Sequence, residues 1–262
     1  MSLIDYYESS KSDFEQKTIN QIVSFAGDDR RLNDGGSSQK ELRKLFKNIQ
    51  NQKLVEYSRD CLDKPFKDSG LVLQDLVNEI GRRLDFKVKD GIYQGSKEKI
   101  GFDGIWVNEE GFSLLVETKA DASAFNINLD TTGGYRERLM LEQEINENSS
   151  ILYVVGREDT KSLERQIKGS DYSDTTRILG LEALIKLLVV YEESSSVELS
   201  SKICEILKPF EYTKVDGIID IVFATSTDQQ FSRELDTKPE EILTANISQK
   251  EEYALKRASI SS

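Results

Sequence analysis

The chain has 262 residues, of which 37% are hydrophobic and 31% charged, a composition typical of a soluble globular protein with one large domain or two small ones. It contains no histidine, which excludes Ser-His-Asp and Cys-His catalytic groups, histidine-bound zinc hydrolases and histidine-dependent metal nucleases. The net charge of −12 argues against a protein that coats nucleic acid, because such binding depends on neutralising phosphates. Any chemistry must therefore use carboxylates, Lys, Arg, Tyr, Ser or Thr.

The cysteines and the N-terminus bear on the cellular compartment. Cys61 and Cys204 lie far apart in the sequence and form no CxxC motif, so neither a disulfide framework nor a thiolate metal site is predicted. The N-terminal sequence MSLIDYYESS has no basic region followed by an apolar stretch. The longest apolar run, Leu184–Tyr191, is too short to span a bilayer. We expect a cytoplasmic protein that does not bind a membrane.

Residues 1–67 are predicted to be a helical segment that packs on the core. Apolar residues recur at helical spacing in two stretches, on either side of the turn-rich sequence GDDRRLNDGGSS. Pro65 marks a break after them. Asp68 or Ser69 can cap a helix that runs to about Leu84, because its apolar residues repeat every three or four positions.

Strands and helices alternate after this helix. Strand-like patterns cover Phe86–Val88, Ile92–Tyr93, Ile100–Val107 and Phe112–Glu117, with Asn108–Gly111 as a hairpin turn. Beyond the polar run Ala120–Asp130, the predicted elements are a helix from Thr131 or Thr132 to about Asn146, a buried strand over Ile151–Val155, a helix over Lys161–Ile167, a strand over Thr176–Leu179 and a helix over Leu181–Glu192. The order from residue 70 is α-β-β-β-α-β and then α-β-α, which predicts an α/β (α+β) fold with a central mixed sheet flanked by helices.

The C-terminal part divides into an apolar and a polar portion. A helix is predicted over Ser200–Leu207, and the sequence VDGIIDIVFAT at Val215–Thr225 is strongly apolar. Residues 226–262 have no sustained apolar period and are expected to form a polar tail or a linker.

Asp103, Glu117 and Lys119 form the constellation with the clearest chemical meaning. They lie on two strands joined by a short turn, and Glu117 and Lys119 share one face of their strand because side chains alternate. Asp103 need not lie directly opposite Glu117, and a bulge or bend would bring the two carboxylates together. Two carboxylates supply the oxygen ligands that Mg²⁺ prefers, and a neighbouring Lys can stabilise charge on a phosphoryl oxygen. The set suits phosphodiester hydrolysis without histidine.

Asp103 followed by Glu117-Thr118-Lys119, on a hairpin behind a helix and before an α-β unit, resembles the PD-(D/E)XK nuclease superfamily, the restriction-endonuclease-like fold. The resemblance covers about residues 68–190 and is closest to bacterial restriction-endonuclease-like proteins. Its segments are KPFKDSGLVLQDLVNEIGRRL, IGFDGIWV, LLVETK, LDTTGGYRERL, ILYVVGREDTKSLERQIKGS and TRILGLEALIKLL. Two positions depart from the family pattern. Phe102 stands where the family often has Pro, and Gln74 stands where many relatives have a Glu in the first helix.

The resemblance implies a nuclease domain over residues 68–225 that hydrolyses DNA with Mg²⁺, or with Mn²⁺ as a substitute. It implies Asp103, Glu117, Lys119 and Gln74 as catalytic residues, with Glu79 as the alternative to Gln74. The implied metal ligands are Asp103, Glu117 and Thr118. The expected function is an endonuclease of restriction or phage-defence type, either alone or as the nuclease module of a larger protein.

Two further segments carry residues that we expect to contact DNA. The first, Tyr135 to Arg138, follows the strand that carries Glu117, and the second, Arg165 to Ser170, joins a predicted helix to a turn. An exposed helix start and an ordinary basic helix C-terminus explain them about equally well. The candidate DNA-binding residues are Tyr135, Arg136, Arg138, Arg165, Gln166, Lys168 and Ser170.

Several alternatives remain at this stage. Other acid-x-Lys triplets occur, including Asp85-Phe86-Lys87 and Asp159-Thr160-Lys161, but only Glu117 ends an apolar strand whose partner strand carries an acid. The three site residues can also be read as a solvated cross-strand ion cluster. At the level of function, the alternatives are a catalytically silent interaction or regulatory module and a DNA repair or junction-resolving nuclease. The acidic net charge predicts that specificity comes from a homodimer or from an additional domain or subunit.

Overall fold

A mixed β-sheet forms the centre of the protein in the computed structural model, which describes residues 2–27, 31–94, 100–120, 127–156, 159–194, 197–209, 213–221 and 223–224. Within these ranges the sheet has five strands in the order β1-β2-β3-β4-β5. Strands β1 to β3 are antiparallel to one another, and β3, β4 and β5 are parallel. The strands are β1 (Lys87–Asp90), β2 (Gly104–Val107), β3 (Ser113–Lys119), β4 (Ser149–Val155) and β5 (Thr176–Gly180).

Helices cover both faces of this sheet. In chain order they are α1 (Leu3–Ser9), α2 (Lys11–Glu15), α3 (Ile19–Phe25), α4 (Ser37–Asn48), α5 (Asn51–Asp63), α6 (Ser69–Arg83), α7 (Leu129–Leu141), α8 (Lys161–Lys168), α9 (Leu181–Ser194) and α10 (Val197–Leu207), with a 3₁₀ turn at Ser173–Thr175. From α6 onward the order is α-β-β-β-α-β followed by α-β-α. The predicted α+β class, its central mixed sheet and this core order are confirmed.

Helix α6 is enclosed by the rest of the fold. Every residue from Val72 to Gly81 is buried, because α4 and α5 pack on one side of the helix and β1, β2 and β3 on the other. Gly81 permits the closest approach to the sheet, since a Cβ at this position would lie 2.5 Å from the ring of Trp106. The N-terminal helices therefore share their core with the sheet.

The two faces of the sheet belong to two apolar clusters. Leu114, Val116 and Leu152 face α6 and α9, together with most of the buried residues of α3 to α5. Leu115, Ile151 and Tyr153 face the opposite way, toward Leu139 of α7 and Leu163 and Ile167 of α8. The alternation along β3 places Glu117 and Lys119 on this second face.

Some element boundaries differ from the predictions. Ile92–Tyr93 is not a strand, because the Tyr93 N–H donates to the Asp34 carboxylate instead of to a neighbouring strand. Strand β2 begins only at Gly104, although the Gly91 N–H still donates to the Asp103 carbonyl. Helix α7 begins at Leu129, where the Asn128 side chain caps it, and ends at Leu141 instead of Asn146. Gln143 follows with a φ of 58°, a left-handed conformation that does not continue a helix.

The described residues divide into two units. Those up to Ile219 form one compact unit, and Asp220 begins the other. The predicted polar tail, residues 226–262, lies outside the described residues. Cys61 and Cys204 are both buried and free. Within the described ranges we find no helix that has the length and apolar character needed to cross a membrane.

Candidate active site

The register of the β2–β3 hairpin brings Asp103 to Glu117. Gly104 lies opposite Val116, so the same register, continued by one residue, places Asp103 opposite Glu117. The strand itself begins only at Gly104 and the chain bends at Asp103, the position where the sequence-based expectation allowed a bulge or bend. The turn between the strands is the predicted one, with the Asn108 N–H donating to the Phe112 carbonyl and Gly111 at a φ of 83°.

Strand β3 extends three residues beyond its pairing with β2. Along the edge of β3 that these three residues leave unpaired with β2, the Thr118 N–H donates to Asp103 Oδ2 at 2.6 Å. The N–H and C=O of one strand residue point to the same edge of the sheet, so the Thr118 carbonyl also lies on the side of Asp103. The Lys119 carbonyl points the other way and accepts from the Gly156 N–H. The end of β3 thus presents main-chain and side-chain oxygens beside one another.

Burial controls the electrostatics of the two acids. Glu117 is only 6% exposed, and burial raises the pKa of its carboxyl group although the adjacent Lys119 opposes this change. Asp103 is partly buried. This burial together with the charge of Glu117 raises the pKa of its carboxyl group to about 7. The pair therefore binds protons more tightly than carboxylates in water do. A cation between the two groups would relieve both the burial cost and their repulsion.

Lys119 completes the group and reaches solvent. Its Nζ donates to Glu117 Oε2 at 3.1 Å, and 37% of its side chain is exposed. Burial by itself would lower the pKa of the Lys119 ammonium, but Glu117 and Asp103 outweigh burial and raise it. The ammonium group is therefore fully protonated at neutral pH. It remains accessible to a molecule at the surface.

Helix α6 holds Asp103 through its main chain. Gln74 Nε2 donates to the Asp103 carbonyl at 3.2 Å, and Asn78 Nδ2 donates to the same oxygen at 2.8 Å. Gln74 is thus placed beside the site, as the sequence predicted, but it contacts the backbone of Asp103 and supports the acid from behind. Glu79, the alternative, accepts from Arg82 and Arg83 instead and contacts none of the three site residues.

The predicted DNA-binding residues of α7 separate into different environments. Tyr135 is partly buried and lies close enough to Lys119 to contribute to the raised pKa of its ammonium group. The Arg136 guanidinium donates to the carbonyls of Ser149 and Glu147 at 3.1 Å each, at the end of β4 away from the site. Arg138 is exposed and pairs with Glu142 at 2.8 Å. Of these three, only Tyr135 acts on a residue of the site, namely Lys119.

The predicted residues around α8 also differ in their roles. Arg165 and Lys168 are exposed on the helix surface. The Gln166 amide accepts from the Ile127 N–H at 3.0 Å and donates to the Ile127 carbonyl, so it fixes the chain that leads into α7. The Ser170 hydroxyl donates to the Ile167 carbonyl at 2.7 Å. Arg165 and Lys168 present charge to the surface, although Arg165 Nε also donates to the Lys161 carbonyl at 3.3 Å, whereas Gln166 and Ser170 are used in bonds to the protein's own backbone.

The residues present suit a divalent cation bound by few protein ligands. Glu117 Oε1 is buried and has no hydrogen-bond partner among the described residues, so it retains an unused acceptor. No group of three or more acidic or cysteine side chains is placed to hold a metal in the described part of the chain. Mg²⁺ commonly takes one or two carboxylates and completes its octahedron with water and substrate phosphate. Asp103 and Glu117 satisfy this requirement.

Thr118 can bind a metal only through its main-chain carbonyl and not through its hydroxyl group. Its side chain lies on the opposite face of β3 from Glu117 and Lys119, because neighbouring residues of a strand alternate. The hydroxyl oxygen is buried there without a hydrogen-bond partner in the described residues. The Thr118 carbonyl, on the edge shared with Asp103, is the atom that can serve as a ligand.

Sequence reasoning missed four residues around the site. Asn78 bonds both the Asp103 carbonyl and the indole of Trp106, and the OH group of Tyr153, the residue paired with Glu117 in β4, donates to Thr132. Arg43 and Asp75 form a buried pair beside Gln74. The sequence contained one indication of the role of α6, namely the polar side chains inside an otherwise apolar helix.

No family model matches this chain, and a search of curated proteins also finds no match.

Proposed function

We propose that the protein is a Mg²⁺-dependent DNA endonuclease of the PD-(D/E)XK type that hydrolyses phosphodiester bonds in restriction or phage defence. The observation that supports this most strongly is the convergence of Asp103, Glu117 and Lys119 at the end of β3, with Glu117 Oε1 unused. A solvated ion cluster would not bury two carboxylates together, because their repulsion and desolvation both cost free energy. A site prepared for a cation explains the arrangement.

In this proposal Asp103 and Glu117 hold the metal, with the Thr118 carbonyl available as a third oxygen. The bound Mg²⁺ supplies a Lewis acid for the phosphoryl oxygen and lowers the pKa of a coordinated water. Mn²⁺ substitutes for it because the same hard oxygen ligands suit both ions. The Thr118 N–H fixes Asp103 Oδ2, which leaves Asp103 Oδ1 free to bind.

Lys119 acts on the substrate. Glu117 holds the ammonium group at the accessible end of the site, and its raised pKa keeps three N–H donors in place at neutral pH. These donors can hydrogen-bond an attacking water or stabilise the charge that develops on the phosphoryl oxygens during phosphodiester hydrolysis. The chemistry therefore needs no histidine.

Substrate binding in this proposal uses local positive charge. Tyr135 lies beside Lys119, and Arg165 and Lys168 project from α8, which covers the same face of the sheet. With a net charge of −12, the chain has weak intrinsic affinity for DNA, so a second copy or an additional domain or subunit supplies specificity. The two buried free cysteines agree with a reducing compartment, and we place the activity in the cytoplasm.

Plasmid cleavage tests the proposal. Purified protein should nick or cut supercoiled DNA with Mg²⁺ or Mn²⁺ and should not do so with EDTA. Asp103→Asn and Glu117→Gln should lose cleavage together with Mg²⁺ affinity, as measured by calorimetry. Lys87→Ala is the matched control, because Lys87 ends the triplet Asp85-Phe86-Lys87 but is exposed on β1.

The control variant should cut as the unmodified protein does. Unchanged Mg²⁺ affinity in both Asp103→Asn and Glu117→Gln would contradict the assignment of the ligands. Absence of cleavage by the unmodified protein on supercoiled, linear and branched DNA with either metal would reject the nuclease proposal and favour an interaction module.

A further inference from the structure

Three hydrogen-bond donors converge on the main-chain carbonyl of Asp103. Asn78 Nδ2 lies 2.8 Å from this oxygen, the Gly91 N–H 2.9 Å and Gln74 Nε2 3.2 Å. A carbonyl oxygen has two lone pairs, so three donors more than satisfy it. Such a set fixes the position of the Asp103 backbone, and with it the carboxyl group that faces Glu117.

Gly91 also brings its own backbone against that of Phe102 and Asp103. A Cβ built on Gly91 would lie 1.8 Å from the Phe102 carbonyl oxygen and 2.7 Å from the Asp103 carbonyl oxygen. Both of these are backbone atoms, which cannot move aside as the end of a side chain can. The chain at Gly91 therefore packs directly on the chain at Asp103, and a displacement of one is transmitted to the other.

Arg43 of α4 holds Gly91 from the other side. Its Nη2 donates to the Gly91 carbonyl at 3.2 Å and lies 2.8 Å from Asp75 Oδ1, while its Nε donates to the same carboxylate oxygen at 2.9 Å. The guanidinium also lies 5.5 Å from the centre of the Tyr93 ring. Arg43 thus joins three separate parts of the fold, namely α4, α6 and the chain after β1.

Asp75 anchors this arrangement inside α6. Its side chain is only 1% exposed, and it accepts from the Tyr93 hydroxyl as well as from Arg43. It directly follows Gln74, one of the three donors to Asp103. The planar guanidinium can satisfy Asp75 and the Gly91 carbonyl at once, whereas the single ammonium of a lysine cannot reproduce that geometry.

We infer that Arg43 is a positioning residue of the nuclease site, so that the N-terminal helical segment forms part of the catalytic unit. The inference rests on the proposed function for its effect on cleavage. Arg43 and Asp75 set the place of Gly91, and Gly91 with Gln74 and Asn78 sets the place of Asp103. Arg43 itself contacts none of the three site residues.

The chain offers a matched control in Arg83. This residue also joins α6 to the N-terminal helices, because it donates to Glu79 and to the carbonyls of Phe46 and Ile49. Its partner Glu79 only follows Asn78 in the chain, as Asp75 follows Gln74, so the bond to the Gly91 carbonyl is what distinguishes Arg43 from Arg83. Arg43→Lys and Arg83→Lys therefore both weaken the attachment of the N-terminal helices. Only Arg43→Lys also removes a contact with Gly91, which packs on Asp103.

The experiment compares the two variants by hydrogen exchange, calorimetry and cleavage kinetics. Arg43→Lys should reduce the protection of the Gly91 amide against exchange. It should also lower Mg²⁺ affinity and the kcat of plasmid cleavage by about tenfold, the lower end of what residues supporting metal ligands contribute, with the KM for DNA unchanged. Arg83→Lys should leave all four quantities unchanged. The double variant Arg43→Gln/Asp75→Asn, which leaves no buried charge unpaired, should reproduce the losses of Arg43→Lys.

Unchanged Gly91 protection and Mg²⁺ affinity in Arg43→Lys would overturn the inference, and so would equal losses in Arg83→Lys. Hydrogen exchange needs no enzymatic activity. If the unmodified protein cuts no DNA, the nuclease proposal fails, and the exchange and calorimetric results still decide whether Arg43 positions Asp103.

Discussion

Two effects compete at the Asp103–Glu117 pair. Burial and mutual repulsion raise the pKa of Asp103, whereas the Thr118 N–H and Lys119 stabilise the ionised forms. Burial is the larger effect, since the pKa of Asp103 reaches about 7. The metal-free site therefore holds protons that a divalent cation would displace, which couples metal affinity to pH.

Lys119→Ala separates catalysis from metal binding. Lys119 contacts Glu117 Oε2 and leaves Oε1 unused, so its removal does not take away a ligand. We expect cleavage to fall by about 10²-fold or more, since a positioned donor at a developing charge contributes about this much. Mg²⁺ affinity measured by calorimetry should remain within a few-fold. Undiminished cutting by this variant would move the catalytic site elsewhere.

The raised pKa of Asp103 predicts how the stability of the metal-free protein depends on pH. Below about pH 4 the carboxyl group is protonated in both the folded and the unfolded state, because its ordinary pKa is 3.8. As the pH rises to about 7, the unfolded state loses its proton first, so the free energy of unfolding should fall across this window.

Asp103→Asn isolates this contribution from those of other acids. The variant cannot ionise at this position, so in EDTA its free energy of unfolding should fall less between pH 4 and 7 than that of the unmodified protein. Urea denaturation at several pH values measures both curves. Parallel curves would mean that Asp103 titrates normally in the folded protein.

At the scale of elements, α7 is fastened to the start of β4 by Arg136. Its guanidinium donates to the Ser149 carbonyl and hydroxyl at 3.1 and 3.0 Å and to the Glu147 carbonyl at 3.1 Å. Ser149 is buried, so few water molecules can replace these donors. This bonding makes Arg136 a structural residue of the helix–strand junction.

Arg136→Ala should lower the free energy of unfolding by about 1–3 kcal/mol, because buried acceptors lose their donor. It should leave the affinity for DNA unchanged. Arg138→Ala is the control two positions beyond, where the exposed pair with Glu142 contributes about 0.3–0.5 kcal/mol. Equal stability changes in the two variants, measured by urea denaturation, would contradict this distinction.

The sequence predicted elements and adjacent residues better than it predicted distant partners. The boundaries of α6 and the hairpin followed from local spacing, and strand alternation placed Glu117 and Lys119 on one face. Arg136 and Gln166 were expected to contact DNA, but their partners lie 13 and 39 positions away along the chain. Local patterns carry no information about such pairings. The same reason explains why Arg43 and Gly91, 48 positions apart, went unnoticed.

At the scale of the whole molecule, the proposed binding of DNA by an acidic chain relies on a few local cations. Arg165 and Lys168 are exposed on α8, on the side of the sheet that carries Glu117. Each phosphate contact releases counterions and contributes about 0.9 to the slope of log affinity against log salt for duplex DNA. A small number of contacts therefore predicts a shallow salt dependence.

Arg165→Ala should weaken duplex binding and reduce this slope by about one contact. Fluorescence anisotropy of a labelled duplex in EDTA measures binding without cleavage. Arg138→Ala is the control, because Arg138 is exposed but paired with Glu142 on α7. An unchanged slope in Arg165→Ala would remove α8 from the DNA interface.

The C-terminal limit of the folded unit depends on two buried residues. Val215 is fully buried and Ile219 is 1% exposed, whereas Ile218 and Ile221 are 38% and 69% exposed. The apolar sequence at 215–225 is therefore not buried throughout, contrary to what its composition suggests. Two hydrogen bonds add to the attachment, since the Ile178 N–H donates to the Thr213 carbonyl and the Gly180 N–H donates to the Asp216 carboxylate.

Two truncations test this limit. A chain that ends at Thr225 keeps Val215, Ile219 and both hydrogen bonds, so its thermal unfolding should match that of the full chain. A chain that ends at Tyr212 loses all of them and should be destabilised by several kcal/mol, at about 1.5–3 kcal/mol for each large buried side chain. If the shorter chain unfolds at the same temperature as the full one, residues 213–219 do not belong to the folded unit. If the longer chain loses its cooperative transition, residues beyond Thr225 are required for folding.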